Sequence, residues 1–508
     1  MRLKNAMNNA AANVALLLLR SVLMFVSRMV FARTLGTTYL GINGLMTNVI
    51  SMLSLAELGI GTAVNFSLYK PLVEGNREKI SVLMGFYKRA YQAIGLVVAC
   101  CGLVLLPFLH YLVKGGEGIE HLRLIFLLYL LNSMSTYYIA YKETLINAAQ
   151  KNYKLAGLNG LFTSLMIVLQ TLSLLLFRNY FVYLGLQVLV GFVQRLAINR
   201  YITRMFPEIN FHSKEKLPQE EKQVLVRNVR GMMFHKLGEY SVYGTDNLVI
   251  SSFIHIAVTG IYSNYSMIIS MANSMLSVIL NGATAGFGDL FARDGQEKQY
   301  DAFLKFEFLG FWTYGWCAIG MFVLLSPVIR LFFGDGYVME TETVLLLCLN
   351  FYMMGMRIPL NILKQAAGIY YEDRYVPLAH GVLNLVLSVP LAIVLGINGV
   401  FLGTVLSGLV SQTIKPYVFY QKCFPDRGMA GYWLRHLWYF AQLITVTAVT
   451  VWLARWVNPA SQVAALAVHL GICVVVPLGL LCLINRRAPE FQYYWGLALQ
   501  ILGKGKKA

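Results

Sequence analysis

Apolar runs of roughly 20 residues follow one another along the whole chain, broken by short polar turns, and each is long enough to span a bilayer as a helix. The pattern predicts fourteen spans, near 11–32, 40–66, 83–109, 121–146, 155–177, 180–202, 232–254, 259–288, 303–333, 343–368, 376–396, 398–420, 436–456 and 463–484. The alternating segments of about 10 residues that build a transmembrane barrel are absent. The start, MRLKNAMNNAAANVALLLLRSVLMF, has the basic beginning and apolar stretch of a leader peptide. Arg20 interrupts that stretch and no A-x-A-like site follows, so it reads as a retained first helix.

Composition agrees. The chain of 508 residues is 57% hydrophobic and only 13% charged, whereas soluble domains are nearer a quarter charged. The net charge of +18 fits a nucleic-acid partner, an anionic lipid surface or a topology signal, and position decides. With the N-terminus in the cytoplasm, most Lys and Arg fall in cytoplasmic loops and termini. They include Arg77, Lys79, Lys88, Arg89, Lys151, Lys154, Arg200, Arg204, Lys214, Lys216, Arg227, Arg230 and Lys504. The opposite side holds Arg33, Lys114, Arg123, Arg178, Arg330 and Arg455. This positive-inside asymmetry places both termini in the cytoplasm and requires no nucleic acid.

The longest hydrophilic stretch, 204–231, reads as a cytoplasmic linker with a short surface helix. The sequence repeats on its two sides. GINGLMTNVISM from Gly41 matches GIYSNYSMIISM from Gly260, and EGNREK (74–79) matches RDGQEK (293–298), at a shift of about 219 residues. Pro107 pairs with Pro327, and NAAQKNY (147–153) faces KQAAGIYY (364–371). Six spans per half make the repeats parallel, related by an axis along the membrane normal. The predicted fold is therefore all-α and polytopic: two six-helix lobes related by a pseudo-twofold axis, plus two C-terminal helices. The boundaries are 1–205 for the first lobe, 206–224 for the linker, 225–422 for the second lobe and 423–508 for the extra helices and basic tail.

Enzyme signatures are missing. There is no G-x-x-x-x-G-K-[ST] loop, no H-E-x-x-H and no His/Cys spacing for a metal, so no cofactor is expected. The seven cysteines form no C-x-x-C pair, and most lie in apolar runs as small buried groups. What the chain does carry is polar faces on its spans, at the three-, four- and seven-residue spacing of one helix side. Asn13, Arg20 and Ser27 align in the first span, with Arg28 adjacent. In the second, Asn43, Thr47, Ser54, Glu57, Gly61 and Asn65 align; in the fourth, Asn132, Thr136 and Glu143. In the seventh, Asn228, His235, Glu239 and Asp246 align beside Lys236; in the eighth, Ser263, Ser270, Ser274, Ser277 and Asn281; in the tenth, Asn350, Arg357, Asn361 and Lys364. A lipid-facing charge at mid-bilayer costs roughly 2.5–3.5 kcal/mol on insertion scales. These charges must therefore pair as buried ion pairs or face water, and a water-filled cavity explains polar faces in both halves. Glu57, in SMLSLAELGIGTAV (51–64), is then tolerated between Gly59 and Gly61, which permit a bend.

The run ARTLGTTYLGINGLMTNVISMLSLAELGIGTAVNFSLYKPLVEGN (32–76), with RTLG, YLGI and LSLAELGIG inside it, resembles the oligosaccharide (Wzx-type) flippases of the multidrug/oligosaccharidyl-lipid/polysaccharide exporter superfamily. Span count extends the likeness over nearly the whole chain. The resemblance implies a multi-pass protein of a bacterial cytoplasmic membrane. Its substrate would be an undecaprenyl-pyrophosphate-linked oligosaccharide repeat unit, turned from inner to outer leaflet by alternating access of a cationic cavity for capsule, O-antigen or another surface polysaccharide. A polysaccharide polymerase and membrane lipids are the implied partners. Arg20, Arg28, Lys236 and Arg357 are the pyrophosphate candidates, since guanidinium offers a fixed charge and planar multi-donor geometry. Asn13, Asn43, Glu57, Glu239, Asp246, Ser270, Asn281 and Asn361 are the cavity-lining or ion-coupling candidates. Tyr240, Tyr243, Tyr262 and Tyr265 are candidates for sugar contacts, and the last two spans for a groove holding the polyprenyl tail. Three alternatives stay open: a lipid II flippase, a drug/cation antiporter of the same superfamily, and a membrane polymerase or glycosyltransferase, which would carry a longer outer loop.

Overall fold

The computed structural model describes residues 2–57, 60–116, 119–215, 217–219, 223, 245–369, 372–373, 375–457, 459 and 461–501. Among these there are helices and turns and no strand, as lipid demands of a chain whose backbone groups must bond internally. Eleven described helical stretches are long and apolar enough to cross a membrane. They match the expected spans from 83–109 to 180–202 and from 259–288 to 463–484. The first two expected spans fall on the helices at the N-terminus, and most of 232–254 lies outside the described residues.

By its internal contacts the chain forms two compact units, Met1–Ser263 and Asn264–Ala508. The first holds α1 (Arg2–Leu53), α2 (Ile60–Val73), α3 (Arg77–Leu105), α4 (Leu122–Ala148), α5 (Asn152–Phe177), α6 (Tyr180–Met205) and the first two turns of α7 (Ile256–Asn281). Where the sequence predicts two spans, α1 is one long helix broken at Gly36, whose φ of 80° only glycine adopts without strain. The predicted continuous span 40–66 is likewise interrupted. After Leu53 the chain tightens into a 3-10 turn, Ser54–Glu57, and the Ser54 hydroxyl donates back to the Ile50 carbonyl at 2.9 Å, a bond that bends helices. The helical face from Asn43 to Asn65 is therefore split.

Near Gly36 the two copies of the sequence repeat meet. A Cβ on Gly41 would fall on the Ile256 carbonyl, 3.1 Å from the Gly260 nitrogen; a Cβ on Gly260 would fall on the Thr37 carbonyl, 2.9 Å from the Gly41 nitrogen. One offset relates Gly41 to Gly260 and Thr37 to Ile256. The contact is thus reciprocal: each segment's glycine takes the other segment's backbone. Small residues let the two backbones approach this closely.

The start of the hydrophilic linker is docked on the same unit. Arg77 pairs with Glu208 at 2.7 Å, Ser81 accepts from the Asn210 amide at 3.0 Å, and Arg89 donates to the Ser213 and Glu215 carbonyls, each at 3.2 Å. Buried Lys142 donates to Asn199 and Thr203 at 2.6 and 2.7 Å. Phe211 covers it, with the ammonium 4.5 Å from the ring centre.

The second unit holds the rest of α7, α8 (Thr284–Arg293), α9 (Gln296–Phe333), α10 (Thr341–Ala366), α11 (Val376–Leu395), α12 (Ile397–Cys423), α13 (Ala430–Trp456), α14 (Gln462–Asn485) and α15 (Pro489–Ile501). α11 and α12 form a tight hairpin, and α10 packs on both α9 and α12. The two helices outside the repeat, α13 and α14, pack on each other and on α9. α15 also rests on α9, where the Tyr494 hydroxyl donates to the Lys305 carbonyl at 3.1 Å.

Candidate functional site

In the first unit α1 carries two predicted cations into different settings. Arg20 is exposed and makes only a long contact to Thr163, 3.4 Å. Arg28, half-buried, donates to the Ser263 hydroxyl and lies within electrostatic reach of Tyr129 and Tyr183. Asn43 donates to the Tyr129 hydroxyl at 2.8 Å, and that hydroxyl bonds Tyr180 at 3.1 Å. Phe31 meets Tyr180 and Tyr183 edge-on. Arg28 and Asn43 thus belong to one tyrosine-lined cluster, positioned by the break at Gly36 that turns Asn43 back toward α4.

Glu57 sits at the end of the 3-10 turn and accepts a hydrogen bond from Tyr91 of α3. Tyr137 and Glu143 of α4 face the same carboxylate. Glu143 in turn lies near Arg195 of α6, which donates to Asn132 at 3.1 Å. Among the described residues no arginine forms an ion pair with Glu57. Arg195 escaped the sequence reading, although an arginine inside the span 180–202 was the signal for it.

In the second unit Arg357 of α10 is 8% exposed. Its Nε has no hydrogen-bond partner, and among the described residues no carboxylate pairs with the guanidinium. His380 of α11, 2% exposed, lies within electrostatic reach of Arg357 and of Lys415 of α12. Ser411 bonds His380 Nδ1 at 3.2 Å, whereas Nε2 is buried without a partner. Lys415 donates to Asn361 at 3.5 Å. One turn further along α10, Lys364 is neutralised by Asp373 in a buried ion pair. α10, α11 and α12 therefore assemble a cationic cluster in which, among the described residues, no carboxylate compensates the charge on Arg357. Lys415 and His380 were missed because they lie on two later spans and reach Arg357 only through packing.

The other predicted positions scatter. Asp246 accepts from Tyr262 at 3.4 Å in the first unit. Ser270 and Asn281 are exposed on α7 in the second. Tyr265, expected to contact sugar, is instead fully buried and accepts from the Met339 amide at 2.9 Å, a core role. Lys236, Glu239, Tyr240, Tyr243 and the side chain of Asn13 lie outside the described residues. A trio of buried Glu307 on α9 with half-buried Arg435 and His436 on α13 was not anticipated, although each is an ionisable residue within or beside a predicted span.

The second unit also holds an apolar groove of about 340 Å³. Trp316 and Leu324 of α9, Ile268 of α7, and Leu470, Cys473 and Val474 of α14 line it. The last span thus contributes an apolar wall to the second unit.

No family model matches the chain, and no curated protein matches it in sequence. Solved structures do match in fold. A lipid II flippase, MurJ, in an inward closed conformation superposes with a TM-score of 0.67 at 14% identity, over 92% of this chain and 99% of that one. An inward-facing multidrug resistance MATE family transporter of the MOP superfamily superposes with a TM-score of 0.60 at 13% identity, over 78% of this chain and 92% of that one. The fold is therefore that of polytopic membrane transporters and flippases. Within that class it is the architecture shared by MurJ and the MATE carriers.

Proposed function

We propose that the chain is a flippase for a polyprenyl-pyrophosphate-linked saccharide. In this reading it carries an undecaprenyl-pyrophosphate-linked oligosaccharide repeat unit from the inner to the outer leaflet by alternating access, with both termini cytoplasmic and the lobes 1–205 and 225–422 as the moving parts. Arg357 is the observation that carries the reading. An uncompensated guanidinium in a low-dielectric interior is costly, and a pyrophosphate supplies the missing charge and acceptors. Lys415 and Asn361 extend the cluster, and the apolar groove beside α14 suits an isoprenoid chain. In the first unit Arg28 and Asn43, with their tyrosines, would meet the same substrate at another stage of its passage.

Lipid II, which shares the pyrophosphate, is the second reading, and the match to MurJ over nearly its whole length favours it. A drug/cation antiporter would require an acidic cluster where Arg357 and Lys415 stand.

Binding of undecaprenyl pyrophosphate to the purified protein tests the shared chemistry. Losing one charge-assisted contact costs about 1.5–3 kcal/mol, so Arg357→Ala should weaken binding roughly 10- to 150-fold. Arg357→Lys should restore only part, because the planar fork is lost. Equal affinity of wild type and Arg357→Ala would remove the pyrophosphate site. Competition between lipid II and a lipid-linked repeat unit then separates the two substrates.

A further inference from the structure

Glu307 is the most deeply buried carboxylate among the described residues, 1% exposed, on α9 where α13 packs against it. Neither of its oxygens has a hydrogen bond. Arg435 Nη2 stands 3.8 Å from Oε2, and His436 Nε2 stands 3.8 Å from Oε1. Both distances exceed hydrogen-bonding length. Arg435 Nη2 instead donates to the Tyr420 hydroxyl of α12 at 3.1 Å.

The tautomer of His436 follows from its other nitrogen. Nδ1 lies 3.1 Å from the Tyr432 carbonyl. A carbonyl only accepts, so Nδ1 carries the hydrogen and a neutral ring turns the Nε2 lone pair toward Glu307. Nε2 has no partner either. Two acceptors, a carboxylate oxygen and an imine nitrogen, thus face each other without a hydrogen bond between them. One proton on the carboxyl group, donated to Nε2, would make this arrangement favourable.

Tyr300 of α9, Tyr352 of α10, Tyr420 of α12, and Tyr432 and Tyr439 of α13 wall the trio, and Glu490 of α15 is felt at Tyr439. Arg435 is the only fixed charge among them that balances Glu307.

We propose that Glu307 and His436 form a one-proton binding site, held by Arg435, that ties α13 to α9. With the site empty, Arg435 and ionised Glu307 sum to zero; proton uptake takes the trio to +1 and draws His436 onto Glu307. The consequence falls on the α13–α14 pair, and α14 lines the apolar groove. Proton occupancy therefore sets how firmly that wall is held. The site is separate from the Arg357 cluster, and its proton can be detected without any substrate.

Infrared spectroscopy of the detergent-purified chain tests this, following the C=O band of protonated carboxyl groups across a pH titration. The difference between wild type and Glu307→Gln should contain one titrating carboxyl band. In His436→Asn, whose amide does not titrate, the midpoint of that band should move by about one pH unit. Proton uptake by His436→Asn can be counted even if Glu307→Gln fails to accumulate. A wild-type spectrum whose titrating bands all persist in Glu307→Gln would overturn the proposal. So would a His436→Asn variant with an unmoved midpoint and unchanged uptake.

Discussion

The glycine pair at the repeat interface gives a test in which two effects oppose each other. Alanine in place of glycine inside a helix ordinarily stabilises by about 0.5–1 kcal/mol, through backbone entropy. At Gly157 of α5, where an added Cβ meets nothing within 4 Å, that gain should appear. At Gly41 the same methyl lands on the Ile256 carbonyl, so α1 and α7 must part by about 1.5 Å to restore ordinary contact. Such overpacking costs about 1–3 kcal/mol and outweighs the propensity gain. Gly41→Ala and Gly260→Ala should therefore each lower the apparent unfolding midpoint in detergent, while Gly157→Ala should hold or raise it. The reciprocity sharpens the test. Once one alanine has pushed the helices apart, the second enters a gap already opened. The double variant should be less destabilised than the sum of the singles, with a coupling on the order of 1 kcal/mol. If Gly41→Ala behaves like Gly157→Ala, or if the two changes add, the close reciprocal approach is not a constraint on stability.

Other expectations are simpler to state. Glu57→Gln should leave the fold intact but slow turnover in proteoliposomes, and Tyr91→Phe, which removes the bond to Glu57, should change its response to imposed H⁺ or Na⁺ gradients. Wild-type behaviour of both under every gradient would reduce Glu57 to a structural counter-charge. Lys142→Met should strip Phe211 of its cation and leave Asn199 and Thr203 without their donor, exposing 206–215 to protease; unchanged protection would show that Arg77, Ser81 and Arg89 suffice. Ser213→Cys, on a background lacking the native cysteines, should label from outside only after permeabilisation; labelling of intact cells would invert the topology. Lys88, ahead of burial and Lys142, holds His212 below the ordinary imidazole range. A histidine so depressed binds more protons when released than when docked. Linker docking should thus be constant above about pH 6.5 and weaken as pH falls below it. His212→Gln should flatten that dependence in a protease-protection assay.

Hydropathy by itself determined the helical class and the positions of most spans, because apolar runs of about 20 residues without alternation can satisfy their backbone in lipid only as helices. It also exposed the repeat, since Gly41 and Gly260 keep their places in matching strings. Charge spacing found Arg28, Asn43 and Arg357 as members of polar faces, but a face has no partner until helices pack. Only the tertiary structure decided that Arg28 meets Ser263, that Asn43 meets Tyr129, that Glu57 answers to Tyr91 and that Arg357 stands uncompensated beside His380. The break at 54–57 was equally invisible to periodicity, which assumed one continuous helix from 40 to 66. Glu307, Arg435 and His436 went unseen for the same reason: Glu307 lies more than 120 positions from the other two in sequence. Their chemistry exists only where α13 is laid against α9.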